Sequence, residues 1–184
     1  MHDTRGSVIG ATADHGMNAK CHLDGSAYVI FLESALTEKF GPGCRVICPI
    51  TDPYVVHHGA LGSAVTVYLS DNLDRNLVAR WILEQPGVTE VYDRESAHLK
   101  MELPTDRIGD LYVLSGRNVV IGRTPEHHDL AKLEGQLRSH GGRYEEMVPL
   151  LLSQPLNEEY KSKAAGDPRN FDIFDFVCNG LVPE

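Results

Sequence analysis

The first hydrophobic stretch lies near the start of the chain and is short. Ser7 to Thr12 reads SVIGAT, a run of small and β-branched residues without a helical period. Such a run is typical of a buried parallel strand, both faces of which are covered. The polar residues ADHGMN follow it directly. Because open α/β sheets bind ligands beyond the carboxyl ends of their strands, we expect Asp14 and His15 to lie where chemistry occurs.

Two longer segments have the three-to-four spacing of amphipathic helices. The first runs from about Ala27 to Phe40 and is followed by Gly-Pro-Gly, which stops a helix. The second begins at a capping residue, Asp71 or Asn72, and extends to about Glu84. Near the end of the chain, the aromatic run FDIFDF predicts a short final helix.

Runs of β-branched and aromatic residues predict further strands between these helices. They are Ala64–Leu69, Val88–Tyr92, Leu111–Leu114 and Val119–Gly122. The last two are separated by Ser-Gly-Arg-Asn, a turn sequence, so we predict that they form a hairpin. The segment 44–123 then forms a compact β-α-β plus hairpin lobe, inserted into a layer made by residues 1–43 and 124–184.

Composition narrows the class of protein. With 42% apolar and 23% charged residues, the 184-residue chain has the composition of a globular domain. Its formal net charge of -9 repels phosphate backbones, so we expect no nucleic-acid partner. It has neither a signal-like amino terminus nor eighteen consecutive apolar residues, so we expect no membrane partner and a cytoplasmic location. The four cysteines are irregularly spaced and are interpreted as reduced core thiols.

Asp14 and His15 are the first candidates for chemistry. A carboxylate and a neutral imidazole are both preferred zinc ligands, and adjacent loop residues can converge on one ion. Gly16 follows them, and glycine allows a positive φ angle or a close approach of the backbone to a metal. The alternative is a polar loop in which Asp14 caps a turn and His15 hydrogen-bonds to the backbone. The Asp-His-Gly tripeptide does not decide between the two.

Other polar residues favour structural or solvent-exposed roles. His57-His58 and His127-His128 are doublets, and neighbouring side chains on an extended chain point in opposite directions, so neither doublet is expected to ligate a metal. Cys21-His22 has no further ligands at suitable spacing. Lys20 could reach an anionic substrate, but a solvated surface lysine is the favoured interpretation.

Four longer motifs carry a family resemblance. They are ATADHGMN, CRVICPITDPYVVHHGALGS, PTDRIGDLYVLSGRNVVIG and SHGGRYEEMVPLLLSQPLN, beginning at Ala11, Cys44, Pro104 and Ser139. Together they resemble the phosphonoacetate hydrolases of the alkaline phosphatase superfamily, in the branch that includes the nucleotide pyrophosphatases. The resemblance covers nearly the whole chain and indicates the carboxyl-terminal portion of such an enzyme. It implies an α/β fold, with a partial alkaline-phosphatase-like core (1–43 and 124–184) and an inserted α+β cap lobe (44–123).

The resemblance also implies a two-zinc site. Asp14 and His15 match the family's DHG ligands of one zinc ion, and His140 matches the His-Gly ligand of the other. The family's threonine nucleophile, its remaining ligands and its carboxylate-binding lysines are expected upstream of this sequence, so no catalytic residue is assigned within it. Three of seven ligands remain, and we expect weak zinc binding by the chain alone, because a catalytic zinc ion normally has three protein ligands.

The implied reaction is cleavage of the C–P bond of phosphonoacetate to acetate and phosphate, through attack by the zinc-activated threonine. The substrate is thus a small-molecule phosphonate. Two alternatives are open: a phosphodiesterase or nucleotide pyrophosphatase on the same scaffold, and a noncatalytic truncated remnant or interaction module. An uncovered side of the partial sheet predicts a homodimer or a complementary amino-terminal chain as a partner.

Overall fold

The computed structural model describes residues 7–49, 61–133 and 136–182 of the chain. These residues divide into two compact units. The terminal unit contains the described residues of Met1–Gly16 and Met147–Glu184, and the central unit contains those of Met17–Glu146. These divisions fall near Gly16 and Glu146, whereas the predicted lobe boundaries fall at residues 44 and 123. Assignment of 44–123 as a cap within the enzyme fold stays a prediction.

Strands and helices alternate irregularly along the described residues. In chain order they are β1 Gly10–Ala11, β2 Asn18–Ala19, β3 Val29–Phe31, α1 Leu32–Phe40, β4 Cys44–Ile47, β5 Ala64–Leu69, α2 Arg75–Leu83, β6 Val88–Asp93, α3 Arg94–Met101, β7 Leu111–Ser115, β8 Val120–Gly122, β9 Arg138–Ser139, β10 Leu151–Leu152, α4 Glu158–Ala164 and α5 Ile173–Asn179. Short 3-10 helices lie at Thr105–Arg107, Pro125–His127, Leu130–Lys132, Arg143–Glu145 and Asn170–Asp172. The predicted mixed α/β class is confirmed.

The centre of the fold is an antiparallel sheet in the order β4-β5-β7-β6. Alternate side chains of β7 point to opposite faces of the sheet. Leu111 and Val113 pack with α1 and α2 on one face. Tyr112 and Leu114 pack with Ala97 of α3 on the other. Successive side chains of a strand point to opposite faces, so a strand buried on both sides must be apolar throughout. This explains why β7 is fully buried along its length.

Helix α2 starts later than its sequence pattern predicts. Its amino-terminal cap is Asp74, whose carboxylate accepts hydrogen bonds from the backbone N–H groups of Asn76 and Leu77. A cap satisfies N–H groups that have no partner within the helix. The proposed caps Asp71 and Asn72 are wrong, since they precede the helix by a turn in which the Ser70 hydroxyl donates to Asn72.

Two predictions are wrong, and both concern the parallel pair of strands β3 and β8. The segment from Ala27 is not helical at first: Val29–Phe31 forms β3, and the helix begins at Leu32. The predicted hairpin is absent, because β7 pairs within the four-stranded sheet while β8 pairs with β3 in parallel. The β-branched residues of β3 thus supply β8 with a partner from a distant part of the sequence, in place of its neighbour β7.

Glu33 connects the first turn of α1 to two neighbouring segments. Its carboxylate accepts a hydrogen bond from the Val46 N–H of β4 at 2.7 Å and forms an ion pair with Arg123 at 3.0 Å. Burial by itself raises the pKa of Glu33, but the hydrogen bonds from Arg123 and Val46 outweigh it and hold the pKa below its ordinary value. The charged carboxylate therefore helps to fix α1 beside β4 and β8.

The terminal unit corrects the prediction of a buried parallel strand at 7–12. Only Gly10 and Ala11 form a strand, both are exposed, and they pair antiparallel with Leu151 and Leu152. Small side chains give this strand little apolar surface to bury.

The predicted final helix is confirmed as α5, which contacts α4 through the rings of Phe176 and Tyr160. No helix of the described residues has the length and apolar character needed to cross a membrane.

The Glu33 contacts predict a pH-dependent contribution to stability. Because the folded pKa is depressed, the contribution is complete above the ordinary pKa of 4.5 and disappears as the pH falls through the folded value. Glu33→Gln is expected to lower the free energy of unfolding by about 1–2 kcal/mol at pH 7, and by less at pH 3. Urea unfolding at both pH values measures this.

Glu95→Gln is the matched control, because its carboxylate is exposed and lies 4.0 Å from Arg75. It should change the free energy of unfolding by less than about 0.5 kcal/mol at either pH. An equal effect of Glu33→Gln at pH 7 and pH 3 would contradict the role assigned to the Glu33 charge.

Candidate metal centre

Asp14 and His15 lie in the terminal unit, in the link between β1 and β2. The Asp14 side chain is 86% exposed and that of His15 is 36% exposed, so a solvent ion can reach both. The Asp14 carboxylate also accepts a hydrogen bond from the backbone N–H of His15 at 3.0 Å. This short local bond fixes the carboxylate beside the imidazole.

The donor atoms of the two side chains are suitably close for one metal ion. Nε2 of His15 lies 3.5 Å from Oδ2 of Asp14. Two ligands of a tetrahedral zinc ion, each bound at its usual distance, are roughly 3.4 Å apart. Nδ1 of His15 lies 2.8 Å from the carbonyl oxygen of Gly16. When Nδ1 donates to that carbonyl, Nε2 carries the lone pair that a metal requires.

Gly16 therefore acts through its carbonyl group in this loop. Gly16 is not among the described glycines with a positive φ, so of the two roles considered for it, close approach of the backbone to a metal stays a prediction. The carbonyl oxygen of Gly16 holds the ring of His15 in one orientation.

His140 lies in the central unit, immediately after β9. We call residues 140–142 the His140 loop. Asn18 of β2 pairs with Ser139, so the residue before His140 is held in a strand pair. The carbonyl oxygen of His140 accepts a hydrogen bond from the Ser63 N–H at 2.9 Å. The loop backbone is thus fixed both before and at His140.

The two glycines of the His140 loop are needed for different reasons. Gly141 has a φ angle of 98°, a conformation that residues with a Cβ rarely adopt. Gly142 lies so close to Ser63 that an added Cβ would be 2.8 Å from the Cβ of Ser63. The loop can therefore turn sharply and pack against Ser63 only with glycine at both positions.

Lys20 is fully buried, so its interpretation as a solvated surface lysine is wrong. Its ammonium group donates to the Ser63 hydroxyl at 2.7 Å, to the carbonyl oxygen of Arg117 at 2.8 Å and to Glu145 at 2.9 Å. The side chain of Glu145 is 1% exposed. We call Lys20 and Glu145 the buried pair. Burial lowers the pKa of Lys20, while the hydrogen bond and charge of Glu145 oppose that effect.

Both carboxylate oxygens of Glu145 accept hydrogen bonds. Besides Lys20, Oε1 accepts a hydrogen bond from the Asn18 side-chain amide at 2.6 Å, and Oε2 accepts one from the backbone N–H of Gly142 at 3.0 Å. Glu145 therefore connects β2 to the His140 loop. These contacts were not predicted, because the partners of Lys20 are 43, 97 and 125 residues away in sequence.

Arg143 attaches the segment after the His140 loop to the four-stranded sheet. Its guanidinium group forms ion pairs with Glu90 of β6 at 3.3 Å and with Glu146 at 2.9 Å. The Glu146 hydrogen bond, together with that of Glu90, raises the pKa of Arg143 above its ordinary value. The guanidinium group of Arg143 is thus held between the carboxylates of Glu90 and Glu146.

The remaining histidine and cysteine candidates have structural contacts where the structure describes them. His128 is buried and accepts the Arg123 N–H at Nε2, and His127 lies 2.8 Å from the Thr124 hydroxyl. Cys21 is buried, whereas Cys178 is exposed, so the interpretation as a core thiol is wrong for Cys178. His22 stacks on Tyr28 at 3.9 Å between ring centroids. His57 and His58 lie outside the described residues. Within the described ranges, no three His, Cys, Asp or Glu side chains are grouped so as to hold a metal ion.

Comparison with solved structures identifies the family. Phosphonoacetate hydrolase from Sinorhizobium meliloti 1021, in complex with phosphonoformate, is 43% identical and superposes over 98% of this chain with a TM-score of 0.82. The same enzyme in complex with phosphonoacetate gives 43% identity and a TM-score of 0.81. This chain belongs to the phosphonoacetate hydrolase family. It spans 43% of the length of those chains.

More distant structures show the same fold. Murine ectonucleotide pyrophosphatase/phosphodiesterase 5 is 16% identical, with a TM-score of 0.55 over 96% of this chain. At that identity the similarity concerns the fold alone. The recognised family and fold class are therefore confirmed. No family model matches the chain.

The close packing at Gly142 predicts a stability effect. Gly142→Ala forces the added Cβ against the buried Ser63 and is expected to lower the free energy of unfolding by about 1–3 kcal/mol, the usual cost of overpacking. Gly116→Ala is the matched control, since its Cβ would meet its nearest neighbour at an ordinary 3.6 Å. Urea unfolding measures both, and equal small effects would contradict the packing described.

Proposed function

We propose that this chain is part of a zinc-dependent phosphonoacetate hydrolase. The enzyme would cleave the C–P bond of phosphonoacetate with water, giving acetate and phosphate. The observation that carries this proposal is the 43% identity over 98% of the chain to an enzyme solved with phosphonoacetate and phosphonoformate. The threonine nucleophile would come from a part of the enzyme outside this sequence.

Asp14 and His15 are proposed as ligands of one zinc ion. Their 3.5 Å donor spacing and the Nδ1 contact to Gly16 support this assignment. When bound, zinc would supply positive charge that stabilises oxygen anions near phosphorus. Asp14 would contribute a carboxylate oxygen, and His15 would contribute Nε2 while Nδ1–H is held by the carbonyl oxygen of Gly16.

His140 is proposed as a ligand of a second zinc ion. It is a half-buried imidazole on a loop whose backbone is fixed by Ser63 and, through Gly142, by Glu145. A ligand held by a rigid backbone loses little conformational freedom when a metal binds. The complete site needs further ligands, which the family resemblance assigns to the remaining part of the enzyme.

Other aspects of function stay predictions. They are a small-molecule phosphonate as substrate, a cytoplasmic location, and a homodimer or a complementary amino-terminal chain as partner. The solved relatives hold phosphonate ligands, which supports the predicted substrate class.

A chimera tests the proposed function directly. In it, this chain replaces the matched portion of the Sinorhizobium meliloti enzyme, and zinc-dependent phosphate release from phosphonoacetate is measured. We expect activity, and we expect Asp14→Ala, His15→Ala and His140→Ala each to lower kcat/KM more than about 100-fold, beyond the usual effect of losing a residue that only supports a ligand. His98→Ala is the control, because His98 is exposed on α3 and contacts the carbonyl oxygen of Leu103.

The same chimera distinguishes the alternatives. Hydrolysis of a chromogenic phosphodiester without hydrolysis of phosphonoacetate would indicate a phosphodiesterase or pyrophosphatase. A folded chimera that hydrolyses neither substrate would support a noncatalytic module. Full activity in the three ligand variants would show that the metal assignments are wrong.

A further inference from the structure

The buried pair is an unusual feature for a chain of this size, because it places two opposite charges out of water. Lys20 and Glu145 have side chains that are 0% and 1% exposed. Removing a charged group from water costs several kcal/mol, and a buried ion pair often stabilises a fold no more than an apolar pair does. We therefore ask which segments of the chain the buried pair holds in place.

Three of the four hydrogen bonds that the side chains of the buried pair make with other residues lead to the His140 loop or to a segment that holds it, and the fourth joins Lys20 to the carbonyl oxygen of Arg117. Glu145 accepts the Gly142 N–H of the loop, and Lys20 donates to the hydroxyl of Ser63. The backbone N–H of Ser63 in turn donates to the carbonyl oxygen of His140. Asn18, the third partner, belongs to the strand that pairs with Ser139. The pair thus reaches His140 from both sides through backbone contacts.

We propose that Lys20 and Glu145 form a positioning pair that fixes the backbone of the His140 loop and so holds His140 ready to ligate a metal ion. Neither residue is a metal ligand in this proposal. The role of His140 rests on the proposed function, whereas the fixing of the loop is independent of it. Loss of Lys20 would leave the Glu145 carboxylate buried without its countercharge, and it would turn toward water and release Gly142.

Amide hydrogen exchange of the 184-residue chain without metal tests the fixing of the loop. In Lys20→Met, the N–H groups of Gly142 and Ser63 are expected to exchange about 10- to 100-fold faster, the effect of losing a hydrogen bond to a charged group. The amides of β5 and β7 should keep their rates. Lys132→Met is the matched control, since its ion pair with Asp129 is on the surface, and it should change neither loop amide.

A double variant separates positioning from simple stabilisation. Lys20→Met with Glu145→Leu removes both charges, so it should restore much of any stability lost in the single variant. The Gly142 amide should still exchange rapidly, because leucine offers it no acceptor. If Lys20→Met does not fold, Gly142 exchange is measured instead in the double variant and in the isosteric Glu145→Gln. Unchanged Gly142 exchange in the folded variants would overturn the proposal.

Zinc affinity of the chimera, in which the expected ligand set is complete, is measured by competition with a chromogenic chelator and connects the pair to His140. Lys20→Met is expected to weaken zinc binding about 10-fold, as for other residues that orient a ligand. His140→Ala should lower zinc affinity less in Lys20→Met than in the natural sequence, because the imidazole is already poorly positioned in Lys20→Met. If His140→Ala leaves zinc binding of the natural sequence unchanged while Gly142 exchange still accelerates in Lys20→Met, the metal role fails and the fixing of the loop stands. If Lys20→Met and His140→Ala lower zinc affinity independently, so that their effects multiply in the double variant, the proposal that Lys20 positions His140 is contradicted.

Discussion

Two opposite charges, both removed from water, connect β2 to the loop that carries His140. Their desolvation is tolerable only because each polar atom has partners: the Ser63 hydroxyl and the Arg117 carbonyl for Lys20, and the Asn18 amide and the Gly142 N–H for Glu145. Such an arrangement favours one loop conformation, because any other leaves a buried charge without partners. The glycine requirements at 141 and 142 follow from that conformation.

The four-stranded sheet provides the support for this arrangement. Helices α1 and α2 cover one face and α3 covers the other, so strands β5 and β7 are buried between them. Ser63 directly precedes β5, and its carbonyl oxygen accepts the N–H of Ser115 at the end of β7. The core therefore fixes the position of Ser63. Because the Ser63 N–H donates to the carbonyl oxygen of His140, Ser63 in turn restrains the His140 loop. Arg143 adds a second attachment through Glu90 of β6.

Sequence patterns predicted the elements better than their pairing. The period of apolar residues located α2, an aromatic run located α5, and runs of β-branched and aromatic residues located the strands β5, β6 and β7. Pairing depends on distant partners, which is why the β7–β8 hairpin and the parallel strand at 7–12 are wrong. Lys20 shows the same limit at the candidate site: its burial depends on Glu145, and only folding brings the two together. Asp14 and His15 were candidates from their position and residue types before the motif resemblance was considered, His140 came from that resemblance alone, and all three assignments stay predictions.

The central claim is that Asp14 and His15 converge on one zinc ion. Anomalous diffraction at the zinc absorption edge, from crystals of the zinc-loaded chimera with the Sinorhizobium meliloti enzyme, tests it most directly. The account predicts an anomalous peak within roughly 2.0–2.2 Å of an Asp14 carboxylate oxygen and of Nε2 of His15. Zinc bound at other histidines, with none between Asp14 and His15, would contradict it.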